Sequence, residues 1–214
     1  MKAAIFDMDG TMVDNMNVHH KAWQKKLSQY GMDLTFDEVK EKVHGINEEI
    51  LERLFGDKYT PEQRKQISWE KEEAYREIFL DQLALIDGLP DFMDQLDRKG
   101  IIMSVASAAP PENVDFVLDN LALRDRFQTI LHSRDVKNGK PHPEIYLKTC
   151  ELLGIAPTDG VVFEDSPTGA KSAEAAGCRI VIVTTTHERD EFDGISGILT
   201  FIKDFEKLDL EIFN

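Results

Sequence analysis

Five short apolar runs, rich in β-branched residues, are spaced along the chain, and each is too short to form a helix. They lack the alternation of polar and apolar residues that marks a strand with one solvent-exposed face. Continuous runs of this kind are typical of strands buried on both faces of a parallel sheet. We therefore predict strands at residues 3–6, 101–106, 129–132, 161–163 and 180–184.

Amphipathic stretches of helical length separate the later runs, with proline near their starts. Three of them end just before a glycine, namely Gly100, Gly154 and Gly177, as helices commonly do. The predicted helices cover residues 89–99, 111–121, 143–153 and 167–176. This alternation predicts an α/β fold, a Rossmann-like doubly wound parallel sheet, with the ligand site beyond the carboxyl ends of its strands.

Residues 14–85 break this alternation, because they contain no convincing strand. An apolar stripe with helical spacing runs from Met16 through Trp23 to Tyr30 and ends at Gly31. Another long helical pattern begins at Pro61. We therefore predict a core domain of residues 1–13 and 86–214, interrupted by a helical domain of residues 14–85.

The charge of the chain narrows its possible partners. Among its 214 residues, 40 are acidic and 25 are Lys or Arg, so the formal net charge is −15. Such a surface repels nucleic acids and anionic membranes, and no apolar run approaches the roughly 20 residues that span a bilayer. We expect Cys150 and Cys178 to be free thiols in a reducing compartment, and the protein to be a cytoplasmic monomer acting on a small molecule.

Polar residues follow several of the predicted strands, or directly precede a helix. In a parallel sheet these positions converge on one crevice. The set contains carboxylates suited to a hard cation, one lysine and one hydroxyl, which is what a phosphoryl group with Mg²⁺ requires. Its members are Asp7, Asp9, Ser107, Lys140, Glu164 and Asp165.

Four motifs in order resemble those of the haloacid dehalogenase-like superfamily, in its capped phosphatase and β-phosphoglucomutase-like branch. They are FDMDGT at residues 6–11, Ser107, Lys140 and FEDS at residues 163–166. The resemblance covers essentially the whole chain. It implies that the inserted helical domain is a cap, which in this branch closes over the site and selects the substrate.

The resemblance also implies roles for the two aspartates of the first motif. Asp7 would be the nucleophile, attacking phosphorus to give an aspartyl-phosphate. Asp9 would protonate the leaving oxygen and later take a proton from the hydrolytic water. The two carboxyl groups therefore need different protonation states at one pH.

A magnesium site is implied by the same resemblance. Asp7, Asp165 and the backbone carbonyl of Asp9 would bind Mg²⁺, with Glu164 contributing directly or through water. Lys140 would neutralise charge on the nucleophile and the transferring group, and Ser107 would hydrogen-bond a phosphoryl oxygen. Thr11 and Ser166 would either line the site or be turn or cap residues. Gly10 and Gly169 could be needed for backbone turns alone.

The cap carries a second, weaker set of candidates. Three of them, His19, Trp23 and Lys71, resemble residues at the corresponding positions of sugar-phosphate mutases. The helical spacing favours His20 as a packed core residue and leaves open which of the two histidines reaches the active site. The segment containing His44 and Gly45 departs from the mutases, which have a lysine at the position of His44. Glu48 stands where a mutase arginine grips the second, non-transferring phosphate, and its charge would repel that phosphate.

These features predict a Mg²⁺-dependent phosphatase that hydrolyses a small phosphorylated metabolite, most plausibly a sugar phosphate, through an aspartyl-phosphate. The alternative is a β-phosphoglucomutase-like sugar-phosphate mutase. A third hypothesis is a non-enzymatic phosphoacceptor resembling receiver domains, which also combine aspartates, Mg²⁺, a hydroxyl and a lysine. Such a protein needs neither a helical cap nor a second acidic pair on a late strand.

Overall fold

The computed structural model describes residues 2–214, which divide into two compact units. The core unit contains the residues up to Asp14 together with Ala84–Asn214, and the insert contains Asn15–Leu83. The sequence placed these boundaries at residues 13/14 and 85/86.

A parallel sheet of six strands forms the centre of the core unit, in the order β3-β2-β1-β4-β5-β6. The order reverses at β1, which pairs with β2 on one side and β4 on the other. The prediction of an α/β, doubly wound fold is therefore confirmed. The strands are β1 (Ala3–Phe6), β2 (Ile102–Ala106), β3 (Thr129–Leu131), β4 (Gly160–Glu164), β5 (Arg179–Val183) and β6 (Ile198–Ile202).

Residues 2–214 also contain eight α-helices. None of the helices in this described part of the chain is both long and apolar enough to cross a membrane. The insert contains α1 (Met16–Gln29), α2 (Phe36–Lys42), α3 (Asn47–Phe55) and α4 (Pro61–Phe79). The core unit contains α5 (Leu89–Lys99), α6 (Pro111–Asn120), α7 (Glu144–Leu153) and α8 (Pro167–Ala176).

Strand β6 is the one element of the sheet that the sequence analysis missed. It pairs with β5 at the edge of the sheet and its residues are mostly half-buried, so it lacks the fully buried run used to find the other strands. Helices α2 and α3 were also not singled out, because each is only two to three turns long.

Aromatic packing fixes the central strands below the site. The rings of Phe6 and Phe163, the last apolar residues of β1 and β4, stack at a centroid distance of 4.7 Å. Phe92 from α5 and Phe205 pack against Phe163 at 5.6 and 5.7 Å. The residues that follow β1 and β4 therefore start from a rigid base. Cys150 and Cys178 are free thiols buried in the same unit, as expected.

Candidate active site

The turn after β1 brings the first motif to the carboxyl edge of the sheet. Asp7 is buried and its backbone N–H donates to the carbonyl of Phe163, 3.0 Å away. Gly10 has a φ of +75°, and a Cβ there would lie 2.1 Å from Oδ2 of Asp165. Glycine is therefore required both by the backbone conformation and by the close approach of the two acidic loops.

Lys140 lies between the carboxylates of the first and fourth motifs. Its Nζ donates to Oδ1 of Asp7 at 2.6 Å and to Oε1 of Glu164 at 2.7 Å. Its side chain is only 7% exposed, and the ammonium lies 4.9 Å from the ring centroid of Tyr146. Residues 133 positions apart in the chain thus form a buried ion pair.

Glu164 is surrounded by hydrogen-bond donors. Its Oε1 accepts from Lys140 and from the hydroxyl of Tyr146, at 2.7 and 2.9 Å. Its Oε2 accepts from the backbone N–H groups of Asp165 and Ser166, at 3.0 and 3.1 Å, and from the Ser166 hydroxyl at 3.1 Å. A Cβ on Gly169 would lie 1.7 Å from Oε1, so only glycine leaves space for this carboxylate at the start of α8.

Asp165 follows Glu164 and is held by the loop after β5. The Thr186 hydroxyl donates a short hydrogen bond to Oδ2 of Asp165 and lies 3.2 Å from its backbone carbonyl oxygen. The neighbouring Thr185 hydroxyl donates to the carbonyl of Gly10. Two adjacent threonines therefore contact both acidic loops.

The electrostatics of the site reflect three buried carboxylates around one ammonium. Burial raises the pKa of Asp7 to about 7, with Lys140 opposing and Glu164 and Asp9 reinforcing the shift. Burial likewise raises the pKa of Asp165 well above its usual range, reinforced by Glu164 and Asp7.

The other two groups of this cluster are held in their charged forms. Burial acts to raise the pKa of Glu164, yet Lys140 and the surrounding donors hold it below its usual value. Burial acts to lower the pKa of Lys140, yet Asp7 and Glu164 raise it well above the ordinary value. The cluster therefore contains more carboxyl groups than its one lysine can balance, and the raised pKa values of Asp7 and Asp165 favour their neutral forms.

The remaining core candidates lie at the same edge of the sheet. Asp9 is half-buried and forms a bridge with Val13 in the turn after β1. Ser107 directly follows β2, is fully buried, and its hydroxyl oxygen accepts from the backbone N–H of Ala109 at 3.0 Å. The buried hydroxyl of Thr11 has no hydrogen-bond partner among residues 2–214, and such unpaired groups often mark functional sites.

The donor set fits Mg²⁺ in chemistry, although the side chains do not form a closed cage. Among residues 2–214, no three His, Cys, Asp or Glu side chains lie together in an arrangement that could hold a metal ion by themselves. Mg²⁺ is commonly bound by one or two carboxylates, with water and substrate phosphate completing its shell. Asp7 and Asp165 can provide two such carboxylates.

A second polar cluster, the insert cluster, contains the cap candidates His19, Trp23 and Lys71 together with Glu72 and Tyr75. Lys71 is 3% exposed and its Nζ donates to Nδ1 of His19 at 2.8 Å and to Oε1 of Glu72 at 2.9 Å. The His19 and Tyr75 rings stack at 3.8 Å, and the Lys71 ammonium lies 5.6 Å from the Trp23 ring centroid. The structure therefore brings three of the predicted cap residues together.

The other cap candidates lie between α2 and α3 or at the start of α3. His44 and Gly45 are exposed, and the carbonyl of His44 accepts from Arg53 at 3.0 Å. Glu48 is half-buried in the first turn of α3. Its neighbour Asn47, which the sequence analysis missed, donates to Oε1 of Glu72 at 2.7 Å.

His20 lies outside the insert cluster. Its ring packs edge-on against Phe36 at a centroid distance of 6.0 Å, and burial lowers its pKa. This environment agrees with the prediction of a packed histidine at position 20.

The sequence analysis missed several residues that belong to the two clusters or contact them. Tyr146 is an apolar position of α7, and Glu72 is one of many acidic residues on α4. Thr185 and Thr186 follow the predicted strand 180–184 and could have been found by extending the strand-end rule to β5. For Tyr146 and Glu72, only the packing identifies the contacts.

Comparison with known proteins places this fold and site in a family. Residues 1–177 match the family model of the haloacid dehalogenase-like hydrolases. The chain is 30% identical over 182 residues to a phosphorylated carbohydrates phosphatase of Thermotoga maritima, covering 83% of this chain and 82% of that protein. It is 32% identical over 186 residues to the beta-phosphoglucomutase of Bacillus subtilis, covering 83% and 80%.

A solved structure, the HAD hydrolase, family IA, variant 3 from Entamoeba histolytica, superimposes with a TM-score of 0.91. It shares 27% identity and covers 100% of this chain and 97% of that one. The chain belongs to the haloacid dehalogenase-like hydrolase family. This confirms the resemblance and the predicted class of enzyme, a phosphoric monoester hydrolase with a phosphomutase as the alternative.

Proposed function

We propose that this protein is a Mg²⁺-dependent phosphatase that hydrolyses a small phosphorylated metabolite, a sugar phosphate above all, through an aspartyl-phosphate intermediate. The observation that carries the proposal is the contact of Lys140 with both Asp7 and Glu164, beside Asp165. This arrangement combines a nucleophilic carboxylate with a fixed positive charge. The cap role of the insert is part of the same proposal.

Asp7 would attack phosphorus, forming a bond from a carboxylate oxygen while the bond to the leaving oxygen breaks. Lys140 would orient Asp7 through Oδ1 and offset charge on the transferring group. Mg²⁺, when bound by Asp7, Asp165 and the Asp9 carbonyl, would reduce the repulsion between the carboxylate and the phosphate. Burial raises the pKa of Asp7, and a cation bound beside it would favour the ionised nucleophile.

Asp9 and Ser107 would complete the reaction. Asp9 would donate a proton to the leaving oxygen, and after that group departs it would accept one from the water that cleaves the intermediate. Ser107, fully buried after β2, would hydrogen-bond a phosphoryl oxygen. Water thus returns both Asp7 and Asp9 to their starting states.

Glu164 would act on the metal site indirectly. Both of its oxygens already accept hydrogen bonds from Lys140, Tyr146 and the start of α8, so direct coordination would compete with these contacts. We therefore favour contribution through water over direct binding. Its main role would be to orient Lys140.

The insert cluster favours hydrolysis over a mutase reaction. A mutase must hold a second phosphate, which calls for positive charge that is available to the ligand. Lys71 instead shares its charge with Glu72 at 2.9 Å, and Glu48 adds a further acid in α3. A neutral, hydroxylated part of a substrate suits such a cluster better than a phosphate does.

Phosphate release from a panel of sugar monophosphates, nucleotides and pyrophosphate, with EDTA and Mg²⁺ arms, tests the proposal. We expect sugar monophosphates to be hydrolysed with Mg²⁺ only, and turnover in EDTA would remove the metal from the mechanism.

Glucose 1-phosphate with a coupled assay for glucose 6-phosphate separates the alternatives, because isomerisation faster than phosphate release would establish the mutase. A long-lived phospho-Asp7 without turnover would favour the phosphoacceptor. We also propose that the protein is a monomer, and a molar mass measured by light scattering tests this.

A further inference from the structure

The loop that follows β5 contacts the acidic cluster but belongs to none of the four motifs. Thr185 and Thr186 come two and three residues after the end of β5, at the same sheet edge as the residues that follow β1 and β4. Thr185 donates to the carbonyl of Gly10, and Thr186 donates to the carboxylate of Asp165. These two side chains thus join the acidic loops that follow β1 and β4.

Thr186 is fitted between the two loops by both branches of its side chain. Its hydroxyl contacts Oδ2 of Asp165 and lies 3.2 Å from the carbonyl oxygen of the same residue. Its methyl group, Cγ2, would lie 3.1 Å from a Cβ placed on Gly10. The side chain is half-buried, so neighbouring atoms restrict its rotation.

We infer that Thr186 is a positioning residue that fixes the rotation of the Asp165 carboxylate toward a divalent cation. The hydrogen bond occupies Oδ2 and leaves Oδ1 for the ion. Outer hydrogen bonds of this kind orient ligating groups, and their loss typically weakens metal binding about 10–100-fold. The inference rests on the proposed function, since it needs a cation at this cluster.

The physical basis is the freedom of a carboxylate that has no such anchor. The last side-chain torsion of aspartate is broad, so an unanchored Asp165 would sample orientations that face away from the ion. Binding would then have to restrict this motion, which costs free energy. Thr186 restricts it before the ion arrives.

Calorimetric titration of Mg²⁺ into the substrate-free protein tests the inference with two variants. Thr186→Val keeps the shape and the methyl group but removes the hydroxyl, and we expect its dissociation constant for Mg²⁺ to rise about 10–100-fold. Thr186→Ser keeps the hydroxyl and should bind Mg²⁺ nearly as the wild type does. Thr184→Val is the matched control, because the Thr184 hydroxyl donates to the carbonyl of Ile202.

Steady-state kinetics provide the second measurement. The Mg²⁺ concentration for half-maximal rate should rise in Thr186→Val, while kcat at saturating Mg²⁺ should change little. Unchanged Mg²⁺ affinity in Thr186→Val would overturn the inference and leave the proposed function intact. A wild-type protein that does not bind Mg²⁺ would instead contradict the proposed function and the inference with it. If Thr186→Val does not fold, Thr186→Ala removes the same hydroxyl and is judged by the same criteria.

Discussion

The core unit and the insert each bury one lysine among polar and aromatic groups, but the two environments differ in charge. Lys140 contacts two carboxylates, those of Asp7 and Glu164, and a third, that of Asp165, lies beside them. Lys71 contacts the carboxylate of Glu72 together with His19. The first cluster contains more carboxyl groups than ammonium groups, whereas Lys71 and Glu72 of the second carry opposite charges.

This difference separates two uses of a buried lysine. Burying unbalanced carboxylates is unfavourable, and the raised pKa values of Asp7 and Asp165 record that cost. We therefore expect an added cation to stabilise such a cluster. In the insert cluster, the charge of Lys71 is opposed by that of Glu72, 2.9 Å away. We therefore expect a weaker response to a cation there.

The largest expected effect comes from removing the proposed nucleophile of the core cluster, Asp7. Asp7→Asn should lower phosphate release by about 10⁴-fold or more, because no other carboxylate can attack phosphorus from that position. Circular dichroism should show an intact fold. A variant that keeps more than a few per cent of the activity would refute the assignment of Asp7.

Loss of each lysine should expose the difference between the clusters. Lys140→Met and Lys71→Met each remove the ammonium that opposes a buried carboxylate, and each should reduce the free energy of unfolding by about 3–5 kcal/mol. Mg²⁺ should restore part of the loss in Lys140→Met, since a cation can replace the missing charge among Asp7 and Asp165. It should restore none in Lys71→Met.

Urea denaturation with and without Mg²⁺ measures this contrast, and the wild type provides the reference for each condition. The same response to Mg²⁺ in both variants would show that the charge imbalance of the core cluster does not govern cation binding. A response confined to Lys71→Met would reverse the comparison altogether.

Much of the core cluster could be predicted because the ends of buried strands can be recognised in the sequence. Asp7, Ser107 and Glu164 end or follow buried apolar runs, and the parallel sheet brings those ends together. Lys140 was included because it directly precedes a predicted helix, and the resemblance to the family then implied its role. Its actual partners needed the structure, because nothing local brings residues 7 and 140 together.

The insert cluster was less predictable for a physical reason. His19 and Lys71 could be proposed from resemblance, but Glu72 looks like any solvated acid on a helix dense in charge. Only the packing of α1 against α4 shows that its carboxylate is buried and paired with Lys71. Tyr146 was missed in the core unit for the same reason, whereas Thr186 follows a predicted strand and was missed because the strand-end rule was not applied there.

A smaller effect should appear in the pH dependence of stability without Mg²⁺. Burial raises the pKa of Asp7 from 3.8 to about 7, so between these values the folded chain binds more protons than the unfolded chain. Stability therefore falls as pH rises through this window. Asn cannot titrate, so Asp7→Asn should gain about 2–4 kcal/mol over the wild type between pH 4 and pH 8.

Urea denaturation in EDTA at a series of pH values measures this difference between variant and wild type. The subtraction removes the contribution of every other titrating group that the substitution leaves unchanged. A difference that stays constant with pH would mean that Asp7 is ionised normally in the folded chain. Saturating Mg²⁺ should reduce the effect, because the ion stabilises the charged carboxylate.

The smallest effect should come from unbalancing the insert cluster. Glu72→Gln keeps an oxygen that can accept from Lys71 and Asn47 but removes the negative charge. The insert cluster then becomes more positive by one charge, so, with the insert acting as the proposed cap, KM for a sugar bisphosphate should fall about 3–10-fold relative to a monophosphate, with kcat little changed. Glu77→Gln, which makes the same charge change in an exposed ion pair on α4, is the control. Equal shifts in both variants would assign the effect to overall charge, and no shift in either would remove the insert cluster from substrate selection.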